Sequence, residues 1–540
     1  MGVAAINARN DLPVSTGDDA ECMLHALRNP ACYPHPVRHI DILETHISWV
    51  LLTGSYAYKI KKPVNLGFLD FTTLAARRHY CEEELRLNRR LAPDLYLETV
   101  PITGSPQQPV IGGSGPGIEY AVKMREFPQS ALLDGALARG EVSTATIHAL
   151  AHRIAAFHAA LAPAAVTADA AVAAALAPAL DNFRRMLPLL DEPADIAALQ
   201  AVRDWTQREH QARSGQFGER GPTGRIRECH GDLHLGNIAL LDGAATPFDC
   251  IEFNPALRWM DVISEVAFPV MDLEAHGRRD LAYAFLNSYL DASGDYAGVA
   301  VLPFYLVYRA VVRAKIGLIR ARQHDVAGRQ DQRALHAHPH YLALAASYAA
   351  PRRGAVIITH GLSGSGKTTL TQASFAALGA LRIRSDIERK RLHGLDALAR
   401  TESAPGAGIY SPDATARTYG QLAQHARSIA AAGYPVIVDA TFLKHAQRAV
   451  FRALAQEIGV PFVIASLPAP HDVLRARVAT RTAQGGDASE AELAVLDAQI
   501  ATHEALTADE LSLAVTADVR GDLAASARAL GDALTQRLQR

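Results

Sequence analysis

Ala355-Val-Ile-Ile-Thr-His360, followed directly by Gly361-Leu-Ser-Gly-Ser-Gly366-Lys367-Thr368, is the stretch on which the architecture turns. The apolar, β-branched run reads as a short buried strand, and Thr369-Leu-Thr-Gln-Ala-Ser-Phe375 can continue as a helix. A G-x-x-x-x-G-K-[ST] loop therefore sits between strand and helix, the context its chemistry requires. Its glycines let backbone N–H groups turn toward phosphates, and the helix N-terminus adds positive potential. Gly361, Ser363, Gly364, Ser365, Gly366, Lys367, Thr368 and Thr369 are thus candidates for binding nucleotide phosphates, with Lys367 on the outer phosphates and the Thr368 hydroxyl on Mg2+.

Downstream, Leu381-Arg-Ile-Arg-Ser-Asp386-Ile-Glu-Arg389 reads as a second strand ending on an acid, with a base one helical turn later. Asp386 is the candidate general base and Arg389 its orienting or phosphate-binding partner. Tyr434-Pro-Val-Ile-Val-Asp439 reads as a further buried strand whose terminal Asp439 can order Mg2+. Leu474-Arg-Ala-Arg477-Val-Ala-Thr-Arg481 places Arg477 and Arg481 on one helix face, suited to charge stabilisation from a lid, whereas Arg475 reads as solvated. With these elements in order, residues 353–515 resemble the P-loop small kinases that include gluconate-kinase-like, zeta-toxin-like and polynucleotide-kinase-like proteins. The resemblance implies an α/β domain with a parallel sheet, binding ATP.

The first part of the chain carries a different pattern. Thr45–Leu52 and Tyr56–Lys61 alternate around Thr53-Gly54-Ser55 as a hairpin, and Leu74, Cys81, Leu85 and Leu91 recur at helical spacing behind a Thr72 or Thr73 cap. Leu95–Ile102 and Gly117–Phe127 add strands, and from about residue 130 the pattern is helical. Into it is set His230-Gly-Asp232-Leu-His234-Leu-Gly-Asn237, an acid followed five residues later by an amide, with Asp249 twelve residues further on. That spacing suits a carboxylate at an acceptor hydroxyl (Asp232) and two oxygen ligands for Mg2+ (Asn237 and Asp249). Ala57 and Lys59 share one face of their strand, the small residue for a base and the lysine for phosphates, with Lys61 and Lys62 as alternatives. Glu84 is the candidate ion-pair partner for the lysine, with Glu83 as alternative. The only glycine available for a phosphate loop is in Thr53-Gly54-Ser55.

These residues together look like the aminoglycoside phosphotransferase branch of the protein-kinase-like superfamily over about residues 40–340. The full chain resembles bacterial bifunctional proteins in which such a domain is fused to a P-loop kinase. The implied fold is a bilobal α+β protein-kinase-like domain followed by the α/β P-loop domain: an irregular lead-in over 1–40, the first domain over 41–347, and the second over 348–540. Aminoglycosides are cations that need an acidic cleft, and Glu252, Glu265, Asp272 and Glu274 are the candidates for it.

The chain has 540 residues, too many for one core, with 49% hydrophobic residues, 20% charged and a net charge of −2. Nothing global favours a polyanionic partner. Five scattered cysteines without a C-x-x-C pair argue against a disulfide framework or zinc site and fit a cytoplasmic protein. No apolar run reaches the ~18–20 residues needed to span a bilayer. The reading is a bifunctional kinase using ATP and Mg2+ to phosphorylate hydroxyl groups of a small sugar-, aminoglycoside- or nucleoside-like acceptor. Two other readings stay open: a first domain that regulates the P-loop kinase, or a P-loop domain acting on nucleic-acid ends or nucleotide sugars through a basic groove at Arg382, Arg384, Arg389 and Arg391. The oligomeric state is not fixed by the sequence.

Overall fold

The computed structural model describes residues 17–67, 69–326, 332–401, 407–484, 489, 491–517 and 523–539. Two compact units emerge. One comprises the described residues of Met1–Leu150, Phe157–His276 and Tyr305–Ser347, and the other those of Ala151–Ala156, Gly277–Phe304 and Tyr348–Arg540.

In the first unit an antiparallel sheet is built from β1 (Asp41–Glu44), β2 (Ser48–Leu52), β3 (Tyr56–Lys61), β4 (Tyr96–Ser105), β5 (Gln108–Ile111) and β6 (Glu119–Arg125), in the order β1-β2-β3-β6-β4-β5. The two-residue period of β3 sets the chemistry of each face. Tyr58 and Ile60 join Leu51 and Val100 in one apolar cluster, while Ala57 joins Tyr96, Val122 and Met124 on the other face, where Lys59 and Lys61 also point. Thr73 caps the helix Leu74–Asn88 by accepting from Ala76 N at 3.1 Å, and this helix buries Arg77, Cys81, Glu84 and Leu87 along one stripe. A carboxylate is thereby carried into the interior opposite two lysines. The remainder of this unit is mostly helical. The short strands β7 (Ile226–Glu228), β8 (Ile238–Leu241), β9 (Ala244–Pro247) and β10 (Trp259–Asp261) pair as β7 with β10 and β8 with β9, framing the loop between β7 and β8.

Part of the expected irregular lead-in is a helix, Gly17–Ala26, whose Met23, with Leu27 just beyond its end, packs into the cluster with Tyr58 and Ile60. Two residues four apart are too sparse a signal to show a helix among so many Pro and His. Strands β1 and β5 also escaped the sequence reading, each being four residues long and partly exposed.

The second unit is built on a parallel sheet of β11 (Ala355–His360), β12 (Leu381–Arg384), β13 (Pro435–Asp439), β14 (Phe462–Ser466) and β15 (Ala514–Thr516), ordered β12-β13-β11-β14-β15. Strand β11 lies at its centre, buried on both faces and apolar almost throughout. The helices Lys367–Leu378, Ser385–Leu392, Pro412–Ala431 and His445–Glu457 follow successive strands or precede them. This unit is not contiguous in sequence, because the segment 277–304 belongs to its packing whereas the sequence reading placed all of 41–347 in one domain. On the helix Arg279–Ser293, Asn287 accepts from Arg382 N at 2.7 Å and donates to Ala380 O at 3.3 Å, satisfying the backbone where β12 begins.

Arg448, 1% exposed, holds the C-terminal part of this unit together. It donates to both oxygens of Glu510, at 2.8 and 2.9 Å, and to the carbonyl of Phe442 at 3.1 Å. Removing one partner of a buried, hydrogen-bonded pair leaves an uncompensated charge. Arg448→Met is expected to lower the stability of this unit by about 3–5 kcal/mol. Denaturant unfolding monitored by circular dichroism checks this, and an unchanged midpoint contradicts it.

Candidate active sites

Lys59 Nζ lies 2.8 Å from Glu84 Oε1 and 2.5 Å from Asp249 Oδ1. Lys61, fully buried, takes the other oxygen of Glu84 at 2.8 Å and bonds Glu252 as well. Asp249, Lys59, Glu84, Lys61 and Glu252 thus form a continuous chain of alternating charge. Burial alone would push the Lys59 ammonium down, but the carboxylates of Asp249 and Glu84 outweigh it and hold the pKa well above the ordinary value. Burial would likewise raise Asp249, and Lys59 reverses this, keeping the carboxyl well below the usual range. Asp249 has φ of 64°, a left-handed conformation costly for a non-glycine residue. It is held there by its own N–H, which donates to Tyr96 Oη at 3.1 Å, and by Cys250 N, which donates to Asn88 Oδ1 at 2.9 Å.

The loop after β7 is fastened by two further carboxylates. Glu265 Oε1 accepts from His230 N at 2.6 Å and Gly231 N at 2.8 Å, and Asp272 Oδ2 accepts from Leu235 N at 3.0 Å. Burial would raise Glu265, yet the contact with His158, 2.7 Å away, outweighs it and brings its pKa to about 2. Within the loop Asn237 Nδ2 donates to the backbone and side chain of Asp232, at 3.0 and 3.1 Å, leaving the Asn237 amide oxygen pointed away from that contact. His234 Nε2 is 3.5 Å from Asp232 Oδ2.

Ala57, Lys59, Asp232, Asn237 and Asp249 all line one cavity of about 800 Å3, together with the apolar Val50, Leu52, Met124, Phe127 and Phe248. Glu84 stands behind Lys59 rather than in the wall. The loop overhanging this cavity is Thr45-His46-Ile47 between β1 and β2, not Thr53-Gly54-Ser55. That glycine turn joins β2 to β3, and the N–H groups of Thr53 and Gly54 both donate to Glu126 Oε2 at 2.7 Å. The sequence reading followed the glycine; with β1 unrecognised, the turn before β2 was invisible.

In the second unit a cavity of about 570 Å3 is lined by Ser363, Gly364, Gly366, Lys367, Thr368, Thr369, Asp386, Arg389, Asp439, Arg477 and Arg481. Gly361 and Ser365 lie outside its wall, but the Gly361 carbonyl accepts from Lys367 Nζ at 3.0 Å, as does that of Leu362 at 2.9 Å. Gly364 (φ 83°) and Gly366 (φ 86°) adopt conformations that disfavour a side chain, and a Cβ on Gly364 would fall 2.9 Å from the Leu474 carbonyl. Thr368 Oγ1 donates to Asp439 Oδ2 at 2.7 Å. Burial pushes the Lys367 ammonium down to about 8 against the pull of Asp439 and Asp386, with Arg481 adding to the downward push. Arg389 donates to Ile409 O at 2.7 Å and stacks on Tyr410, and Arg481 donates to Ala491 O at 2.6 Å. Gln499 was not anticipated; its Oε1 accepts from Ser363 N at 2.9 Å, and only tertiary packing brings it there.

The basic groove considered from the sequence does not form. Arg382 is buried, 3.5 Å from Asp291, and Arg391 bonds Glu388 and the Asp291 carbonyl, so only Arg384 and Arg389 of the four face the cavity. Of the four acidic candidates for an acceptor cleft, Glu252 pairs with Lys61, Glu265 accepts from the amides of His230 and Gly231, and Asp272 accepts from Leu235 N and Tyr341 Oη.

Residues 356–506 match the family model described as an AAA domain. Across 467 residues the chain is 31% identical to the uncharacterized protein Rv2004c of Mycobacterium tuberculosis, covering 86% of this chain and 91% of that protein, and equally to Mb2027c of Mycobacterium bovis. Among solved structures, similarity extends to a gluconokinase from Sinorhizobium meliloti (22% identity, 35% of this chain, 96% of the other, TM-score 0.26). A choline/ethanolamine kinase family protein from Mesorhizobium loti is also similar (12% identity, 61% of this chain, 98% of the other, TM-score 0.33). The class that the matches define is a chain whose second unit carries an AAA domain. Within that class, the protein belongs to the family of the mycobacterial protein Rv2004c. Among the described residues no helix is long and apolar enough to cross a membrane.

With Lys367 near 8 in the free protein, phosphates brought beside it raise its pKa again. Nucleoside triphosphate binding at pH 9 is therefore expected to take up close to one proton, and at pH 7 almost none from this group. Calorimetry in buffers of different ionisation enthalpy reads the uptake; it should disappear in Lys367→Met, and its persistence there contradicts the assignment.

Proposed function

We propose that the protein is an ATP- and Mg2+-dependent phosphotransferase with two active sites, each transferring a phosphoryl group to a hydroxyl of a small molecule. Residues 41–347 carry one site and residues 348–540 the other. The observation that supports this reading is that each unit gathers an acid, a lysine and a pair of oxygen-bearing side chains on its own cavity.

In the first site the apolar wall around Ala57 and Met124 takes the base of the nucleotide, and Lys59 turns from Asp249 to the phosphates. Glu84 stays on Lys61 as well, so Lys59 is steered without losing its anchor. Asp232 faces the acceptor hydroxyl and removes its proton as the new bond to phosphorus forms. Asn237 and Asp249 offer hard oxygen donors of the type Mg2+ takes. In the second site the loop amides and Lys367 bind the phosphates, Asp386 takes the acceptor proton with Arg389 ordering its surroundings, and Arg477 and Arg481 oppose the charge that develops on the transferring group. Thr368 and Asp439, already in contact, are the oxygen donors there. Mg2+, when bound, neutralises phosphate charge at both places.

Asp232→Asn is expected to lower turnover of the first site by about 10²–10⁴-fold and leave the second, and Asp386→Asn to do the reverse. A screen of hydroxyl metabolites with ATP, run on both variants and the wild type, should return acceptors whose phosphorylation depends on one residue and not the other. If every acceptor depends on Asp386 and none on Asp232, the two-site reading fails.

A further inference from the structure

One wall of the second cavity is a face of the helix Leu493–Thr502. Val495, Ala498, Gln499 and Thr502 line it, at the three- and four-residue spacing that puts side chains on a single stripe. Another stripe of the same helix is apolar. Leu496 clusters with Leu474 and Val478, and Ile500 and the phosphate-loop residue Leu362 pack against that cluster. Helix and loop are thereby fixed to each other by apolar contact, with the polar stripe left to the cavity. Of its two polar side chains, Thr502 turns its hydroxyl back to the Ala498 carbonyl at 2.8 Å. Gln499 is the other.

The orientation of the Gln499 amide is decided by its partner. The backbone N–H of Ser363 is a donor, so the atom it meets at 2.9 Å is the amide oxygen, Oε1, and the NH2 group is the end turned away. Among the described residues Nε2 has no hydrogen-bond partner, and it is not sealed from solvent. Two N–H donors thus reach solvent from a side chain of the cavity wall. The peptide that holds Gln499 also holds Lys367: the Leu362 carbonyl accepts from Lys367 Nζ at 2.9 Å, and the N–H of the same planar peptide, on Ser363, donates to Gln499. An ammonium on the carbonyl polarises the N–H, and that hydrogen bond polarises the donors of the glutamine in turn. The N-terminus of the helix Lys367–Leu378 attracts inner phosphates. Gln499 joins the loop upstream of it, at the peptide that orients the lysine directed at the outer ones.

We propose that Gln499 binds the terminal phosphoryl group of the nucleoside triphosphate in the second site, its Nε2 donating to a non-bridging γ-oxygen while its Oε1 stays on Ser363 N. This rests on the reading of that site as a nucleotide site. A hydrogen bond to a charged phosphate oxygen is stronger than one between neutral groups, and a diphosphate offers no oxygen at that place. Gln499 therefore separates triphosphate from diphosphate, favouring substrate over product. The glutamine exchanges no proton, and its bond to the loop is kept throughout.

The test uses the full-length Lys59→Met variant, in which the first site is silenced, and compares the affinities of a non-hydrolysable ATP analogue and of ADP, each with Mg2+. Gln499→Glu is close in size and keeps an oxygen for Ser363 N, but puts a negative oxygen where the donors were; Gln499→Met removes both ends of the amide. The analogue is expected to bind about tenfold more weakly or worse in Gln499→Glu, and more weakly in Gln499→Met as well, while ADP stays within about twofold in both. The retained ADP affinity shows that the loop is intact. Equal losses for both nucleotides would mean that Gln499 only shapes the loop, and that result, or an unchanged analogue affinity in Gln499→Glu, overturns the proposal while leaving the nucleotide site in place. Failure of both nucleotides to bind with Gln499 intact overturns the reading of the second site itself.

Discussion

Glu84 is buried to the point of zero exposure and each of its oxygens holds a different lysine. A lone carboxylate in that position would be intolerable, and so would either lysine without it. The pattern of the helix Leu74–Asn88 brings the acid inward, the period of β3 brings both lysines to meet it, and the pair of lysines then reaches Asp249 and Glu252. Through those contacts one charge cluster fixes the helix against the sheet and sets Lys59 and Asp249 on the cavity wall. Asp249 keeps a strained backbone because Tyr96 and Asn88 hold the two amides that define it.

On the proposed reading, the two units prepare a lysine for phosphate by opposite means. Lys59 is surrounded by carboxylates, so its charge is secured before any ligand arrives and binding must draw it away from Asp249. Lys367 is instead held by the carbonyls of Gly361 and Leu362, which orient it without neutralising it, and burial leaves its charge costly until phosphates arrive. One site exchanges an internal ion pair for an external one. The other gains a counter-ion it lacked. Since the two arrangements share no residue and no fold, they are separate solutions to one electrostatic problem.

Much of the fold and of the two candidate sites was legible in the sequence because the residues concerned are local there. The phosphate loop, Asp386 and Asp439 lie at strand ends whose apolar runs are plain, and Asp232, Asn237 and Asp249 fall within twenty residues of one another. What sequence concealed were contacts between distant segments. Lys59 differs from Lys61 and Lys62 in its contact with Asp249, which no local pattern shows. The role of Thr45-His46-Ile47 was hidden behind a short, exposed edge strand, and the glycine turn that seemed the better candidate proved to have its amides filled by Glu126. Of the acidic residues grouped after the loop at Asp232, the sequence could not show that Glu252, Glu265 and Asp272 each have partners inside the fold. The helix Arg279–Ser293 could not be assigned to the P-loop unit from its sequence, because its fit rests on contacts with distant segments, among them Asn287 at the open end of β12 and Asp291 beside Arg382 and Arg391.

On the proposed reading, one chain holds two independent nucleotide sites. Equilibrium dialysis with a non-hydrolysable ATP analogue and Mg2+ tests it most directly. Two nucleotides should bind per chain, falling to one in Lys59→Met and to one in Lys367→Met; a single nucleotide per wild-type chain, abolished by Lys367→Met and untouched by Lys59→Met, would contradict the two-site reading.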